Sequence, residues 1–162
     1  MKRKLMLMVL LICVISTGCM NKNDVQLFET KEEAISNFIE EEEAIHKGSI
    51  IEIDLNDHEA VLLFKQMNTA YYLGVTTEVN NQYTTNRLSP GVDIGNTTGA
   101  MWEFKTDNEN EYTIKITKQK EDVDSIFNKD LGVFITIVKG KRRYEDQNVK
   151  NFITSKGIRS IQ

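Results

Sequence analysis

Apolar residues fall into three regimes along the chain: an unbroken run, then a spacing of three to four, then alternation. Leu5 to Ile15 are eleven consecutive apolar residues. Ile35, Phe38, Ile39 and Ile45 then recur at helical spacing, with Glu42 in the same stripe. Thr30-Lys31-Glu32-Glu33 fits a capping box, so the spacing predicts a helix from Thr30 to a stop at Gly48. The narrow stripe leaves the other side of this helix wet. Beyond Gly48 the period drops to two: Ile51, Ile53 and Leu55 alternate with Glu52 and Asp54.

Ala60–Gln66 is apolar enough for a strand covered on both faces. Ala70–Glu78 and Gln82–Ser89 flank Asn80-Asn81, a pair that tolerates positive φ and suits a tight hairpin. Trp102–Thr106 and Glu111–Lys118 flank Asp107-Asn108-Glu109-Asn110, a second hairpin signature. Val123, Ile126 and Phe127 suggest one helical turn, and Gly132–Lys139 a strong strand. Val149, Phe152 and Ile153 suit a short C-terminal helix stopped near Gly157, with a strand as the alternative. The pattern predicts an α+β fold: an N-terminal helix packed on an antiparallel sheet of about seven strands. In element order alone this resembles cystatin-like, NTF2-like and PepSY-like domains, an analogy that carries no function.

Length and charge narrow the picture. The chain has 162 residues, 20 Lys+Arg against 24 Asp+Glu, and 40% hydrophobic residues. One core serves a chain of this size, and the net charge of −4 argues against nucleic acid as a partner. Residues 1–18 hold three cations and no acid, so the rest carries 17 against 24. Lys2, Arg3 and Lys4 followed by the short apolar run form a secretory signal, because eleven residues are too few to span a bilayer.

Ser16-Thr17-Gly18-Cys19 resembles a bacterial lipobox, with Ser16 where an aliphatic residue is usual. The resemblance implies cleavage after Gly18 and lipidation of Cys19, whose thiolate is the nucleophile that takes a diacylglyceryl group. It divides the chain into a signal over 1–18, lipidated Cys19 and a tether over 19–27, and one exported domain over 28–162. Two or more acyl chains give stable anchoring, and the tether spans only about 15 Å. Cys13 leaves with the signal, so the exported domain has no disulfide. Lys outnumbers Arg 15 to 5 and Ile outnumbers Ala 17 to 5, as AT-rich genomes produce. With Phe28–Ile35 following the tether, the chain is similar to small cell-envelope lipoproteins of Bacillus-type bacteria.

Candidate chemistry is sparse. His46 and His58 sit in no metal-ligand spacing and no nucleophile motif. His46 suits a helix C-terminus and His58 an exposed turn. Neither catalytic residues, metal ligands nor a cofactor are predicted. Asp107, Glu109 and Glu111 alternate as in a calcium loop, but Tyr112 stands where such a loop needs Gly. Gly91–Gly99 reads as an irregular recognition loop, which makes the adjoining Trp102 a candidate contact residue. Lys139, Lys141, Arg142 and Arg143 place four cations in five positions. They read as a solvated hairpin tip or as a contact for anionic lipid or wall polymer.

These features predict a lipid-anchored binding or accessory module on the outer face of the cell membrane, with an envelope protein or anionic polymer as partner. The alternatives are a carboxylate-dependent enzyme acting on envelope material and a receptor for a small molecule.

Overall fold

A computed structural model describes residues 25–42, 45–56, 59–106, 109–146 and 149–161. The lipobox with Cys19, and also His58, lie outside the described residues. Helix α1 spans Lys31–Glu41, and the Thr30 hydroxyl accepts a hydrogen bond from the Glu33 amide at 3.2 Å. Glu32 and Glu33 add negative charge where the helix dipole favours it.

The helix is shorter than its sequence period suggests. Ile45 already begins strand β1 (Ile45–Asn56), opposite Gln66. Gly48, at φ +84°, lies where the β1 register slips between Ile45 and Ile50. A left-handed glycine serves a bulge as well as a helix stop, and here it serves the bulge. His46 therefore belongs to a strand and not to a helix end.

Among the described residues ten antiparallel strands form two sheets, which corrects the expectation of one helix-covered sheet of about seven strands. The first sheet contains β1, β2 (Glu59–Gln66), β3 (Ala70–Val79), β4 (Gln82–Arg87), β5 (Val92–Asp93) and β10 (Ile158–Ser160). Its order is β10-β1-β2-β3-β4, and β5 pairs with β3. The second sheet contains β6 (Gly99–Lys105), β7 (Glu111–Thr117), β8 (Ile126–Asn128) and β9 (Val133–Lys139), in the order β6-β7-β9-β8. The helical turn expected around Val123–Phe127 is instead edge strand β8 with its approach. No C-terminal helix forms among the described residues. A 3₁₀ turn at Ser155–Gly157 leads into β10, which pairs Ile51 with Ser160 and closes the edge of the first sheet.

Alternation assigns the faces. Ile51, Ile53, Val61, Leu63 and Leu73 turn toward the second sheet, where Trp102, Ile114, Ile116, Ile135 and Ile137 meet them in one core. Tyr71 also points inward, and its hydroxyl donates to the Leu131 carbonyl at 2.7 Å. Burial raises the Tyr71 phenol above its ordinary pKa. On the opposite face of the first sheet, Ile50, Leu62 and Phe64 pack under Ile35 and Phe38 of α1. The β2 strand is thus apolar on both faces, as its composition predicts.

One end of the sandwich gathers several connections. Glu59 accepts hydrogen bonds from Asn110 Nδ2 (3.2 Å) and the Tyr112 hydroxyl (3.4 Å), joining the β1–β2 and β6–β7 ends. Tyr83 pairs with Glu78, two residues beyond the Thr76–Ala60 level, so it lies at this end too. There the Phe28 backbone exchanges two 2.8 Å hydrogen bonds with Tyr83. Lys139 stands opposite Tyr112, which brings the start of the basic segment to the same end.

Candidate functional site: a buried charge network on the second sheet

The outward positions of β7 are Glu111, Thr113, Lys115 and Thr117, the alternates of inward Tyr112, Ile114 and Ile116. An outward lysine on a sheet normally reaches water, yet Lys115 is only 4% exposed. Two segments, 118–125 and 141–146, cover this face. Lys115 Nζ lies 2.8 Å from Glu121 Oε2, 3.7 Å from Asp122 Oδ2 and 4.3 Å from the centre of the Tyr144 ring. Its charge is met by two carboxylates and an aromatic face.

Asp122 is the hub. Arg142 donates to it from Nη2 at 2.7 Å and from Nη1 at 3.1 Å, and Thr136 of β9 donates at 3.0 Å. Arg142 Nη2 also reaches the Asp146 carbonyl at 3.0 Å. Burial pushes the Asp122 carboxyl upward. The hydrogen bonds from Arg142 and Thr136, with the charges of Arg142 and Lys115, outweigh that and hold it below the usual carboxylate range. An ionised carboxylate fixed by three donors is a poor proton donor or acceptor at neutral pH.

Two open clefts flank the network. One, of about 310 Å³, runs past Lys115, Glu121, Asp122, Val123, Tyr144 and Glu145. The other, of about 480 Å³, is lined by Glu103, Lys141, Arg142, Arg143 and Asp146. Such volumes suit small ligands or a segment of a polymer. Among the described residues, no group of three or more His, Cys, Asp or Glu side chains could hold a metal ion.

The structure separates the four cations that look equivalent in sequence. Lys139, Lys141 and Arg143 are exposed, whereas Arg142 is buried on Asp122. The segment is not a hairpin tip. Among the described residues no strand of the second sheet follows Lys139, and residues 141–146 instead fold back over that sheet, where Asp146 accepts from the Arg143 amide at 2.8 Å.

Trp102, the candidate contact residue, is a core residue. It faces the first sheet from β6, with its indole Nε1 buried and, among the described residues, without a hydrogen-bond partner. Alternation along β6 turns Ala100 and Trp102 inward. The preceding Gly91–Gly99 segment is tied down: Ile94 is buried, its amide donates to Thr69 O, and Lys118 donates to Gly95 O at 2.8 Å. The Gly95 amide donates to Asp93 at 2.7 Å. That bond, with Thr69 and Lys118, lowers the Asp93 carboxyl below its ordinary range. Of the calcium-like alternation, Glu109 pairs with Lys105 and Tyr112 is core.

Sequence reasoning missed Lys115, Glu121, Asp122 and Tyr144. The one available signal was Lys115 itself, a lone charge inside the β-rich run Tyr-Thr-Ile-Lys-Ile-Thr. No family model, curated protein or solved structure matches the chain.

Proposed function

We propose that this chain is a lipid-anchored extracytoplasmic binding module, held at the outer face of the cell membrane through Cys19, with the outer face of the second sheet as its binding surface. The resemblance of Ser16–Cys19 to a lipobox supports the anchor. Phe28, nine residues beyond Cys19, already pairs with Tyr83, so on this reading the fold begins close to the bilayer. The observation that carries the binding role is the paired state of Asp122. Its charge is compensated by Arg142 and Lys115, which builds a rigid polar platform and makes Asp122 itself a poor acid or base. A platform of this kind holds ligands by charge at its open clefts.

The test has two arms. Cys19→Ala should abolish palmitate labelling and move the protein from the membrane fraction to the soluble one. Equal labelling of wild type and variant overturns the anchor. A photo-crosslinking residue at Tyr144 should give a discrete adduct in intact cells, while one at exposed Val79 on the first sheet should not. Equal adducts at both positions, or none at Tyr144, overturn the assignment of the binding face.

A further inference from the structure

The larger cleft has a chemistry of its own. Lys141 and Arg143 are exposed cations on its rim, and Arg142 is its buried member. Arg142 spends its Nη groups on Asp122 and on the Asp146 carbonyl, but its Nε is buried with no hydrogen-bond partner among the described residues. Orphaned buried donors are uncommon in native folds and call for an acceptor. The segment that carries it, 141–146, contains neither helix nor strand. The same cleft holds two carboxylates, Glu103 and Asp146, and one Asp146 oxygen already accepts from the Arg143 amide.

Three cationic groups beside two carboxylates make a poor site for a bare anion, since the acids repel it. They suit an anion that carries hydroxyl groups: charge-assisted hydrogen bonds from Lys141 and Arg143 hold phosphate oxygens, and the carboxylates accept from neighbouring hydroxyls. The position of the cleft adds a source. Glu103 pairs with Thr113 near the β6–β7 connection, at the end of the sandwich where Phe28 joins Tyr83. If the chain is anchored through Cys19, that end lies nearest the bilayer. The electrostatic reach needed is about 8 Å, the Debye length at physiological salt.

We infer that the cleft formed by Glu103, Lys141, Arg142, Arg143 and Asp146 binds a glycerol phosphate ester, supplied by an anionic phospholipid head group or by a soluble polyol phosphate. The inference rests on the binding face proposed above. The cations take the phosphate, Arg142 Nε gains an oxygen acceptor, and Glu103 and Asp146 order the glycerol hydroxyls.

The experiment uses the full chain in nonionic micelles, where any anchor stays embedded, and follows backbone amide shifts of residues 141–146. Glycerol 3-phosphate and a short-chain phosphatidylglycerol are titrated separately, with glycerol and a short-chain phosphatidylcholine as controls. Saturating shifts are expected from the anionic esters, which carry free glycerol hydroxyls, and not from glycerol or from phosphatidylcholine, a zwitterionic ester without such hydroxyls. A response to phosphatidylglycerol alone assigns the head group as the source, and a response to glycerol 3-phosphate alone assigns a soluble ester. Lys141→Ser with Arg143→Ser leaves the Arg142–Asp122 pair intact and should weaken binding about tenfold or more. Lys141→Arg with Arg143→Lys should restore it.

Absence of saturation with both esters overturns the inference. Unchanged affinity in the double serine variant, or an equal response to phosphatidylcholine, overturns it as well. The outcome is separable from that of the anchor: a protein that fractionates as soluble yet binds glycerol 3-phosphate loses Cys19 tethering and keeps the cleft.

Discussion

Arg142 and Asp122 meet in a two-pronged ion pair, 2.7 Å and 3.1 Å long, with side chains only 2% and 7% exposed. Twenty residues separate them in sequence, and the pair fastens two covering segments to one face of the second sheet. Thr136 and Lys115 complete the cage from β9 and β7. A charge taken this far out of water is tolerated only because every partner is present. Loss of a single partner therefore costs more than the pair contributes net.

Asp122→Ala should destabilise the protein by about 3–5 kcal/mol, because it strands the Arg142 guanidinium and weakens the support of Lys115. Asp122→Leu combined with Arg142→Met should recover most of that loss, since no buried charge is left unpaired and Lys115 keeps Glu121. Urea denaturation of the three proteins measures this directly. A double variant no more stable than Asp122→Ala would show that the network does more than compensate its own charges.

Acid should unfold the protein partly through Asp122. Its folded pKa is lowered, so its contribution is fully present above the unfolded value of about 3.9 and is lost as pH falls through the lowered folded value. Stability of the wild type should decline across that acidic window. In Asp122→Asn the decline should be shallower, from a lower plateau at neutral pH. Parallel stability–pH curves for the two proteins would contradict the assignment.

Trp102 is the sole tryptophan, so its fluorescence reports the core without ambiguity. Emission should be blue-shifted and resistant to iodide until the protein unfolds. Because Nε1 has no hydrogen-bond partner among the described residues, Trp102→Phe should lose no hydrogen bond and cost only a small cavity, clearly less than removal of the whole ring. Trp102→Ala should cost about 3–5 kcal/mol through the cavity it leaves. A fluorophore freely quenched in the native state would return Trp102 to the surface.

Local signals carried a long way here. Thr30 caps α1 as its capping box implies, and Asn80-Asn81 turns with φ of +52° and +62°. Ala60–Gln66 reads as a doubly covered strand and is one. The errors share a cause: each turned on which distant residues came to lie alongside. Ile45 satisfies helical spacing after Phe38, but pairing with Gln66 across the sheet outweighs that weak local preference. Phe152 and Ile153 suit a helix, yet the chain beyond them is drawn out to close the open edge of β1.

The α+β class, the start of the helix, the alternation of Ile51, Ile53 and Leu55 and the Asn80-Asn81 turn were all legible in the sequence. Those follow from capping, periodicity and turn chemistry, which act over a few residues. Tertiary structure alone decided that the strands divide into two stacked sheets, because the twist and burial of one sheet demand a second apolar face. It also decided which of four neighbouring cations is buried. Lys141, Arg142 and Arg143 are alike until the fold brings Asp122 beneath Arg142, and only a carboxylate there makes its desolvation tolerable.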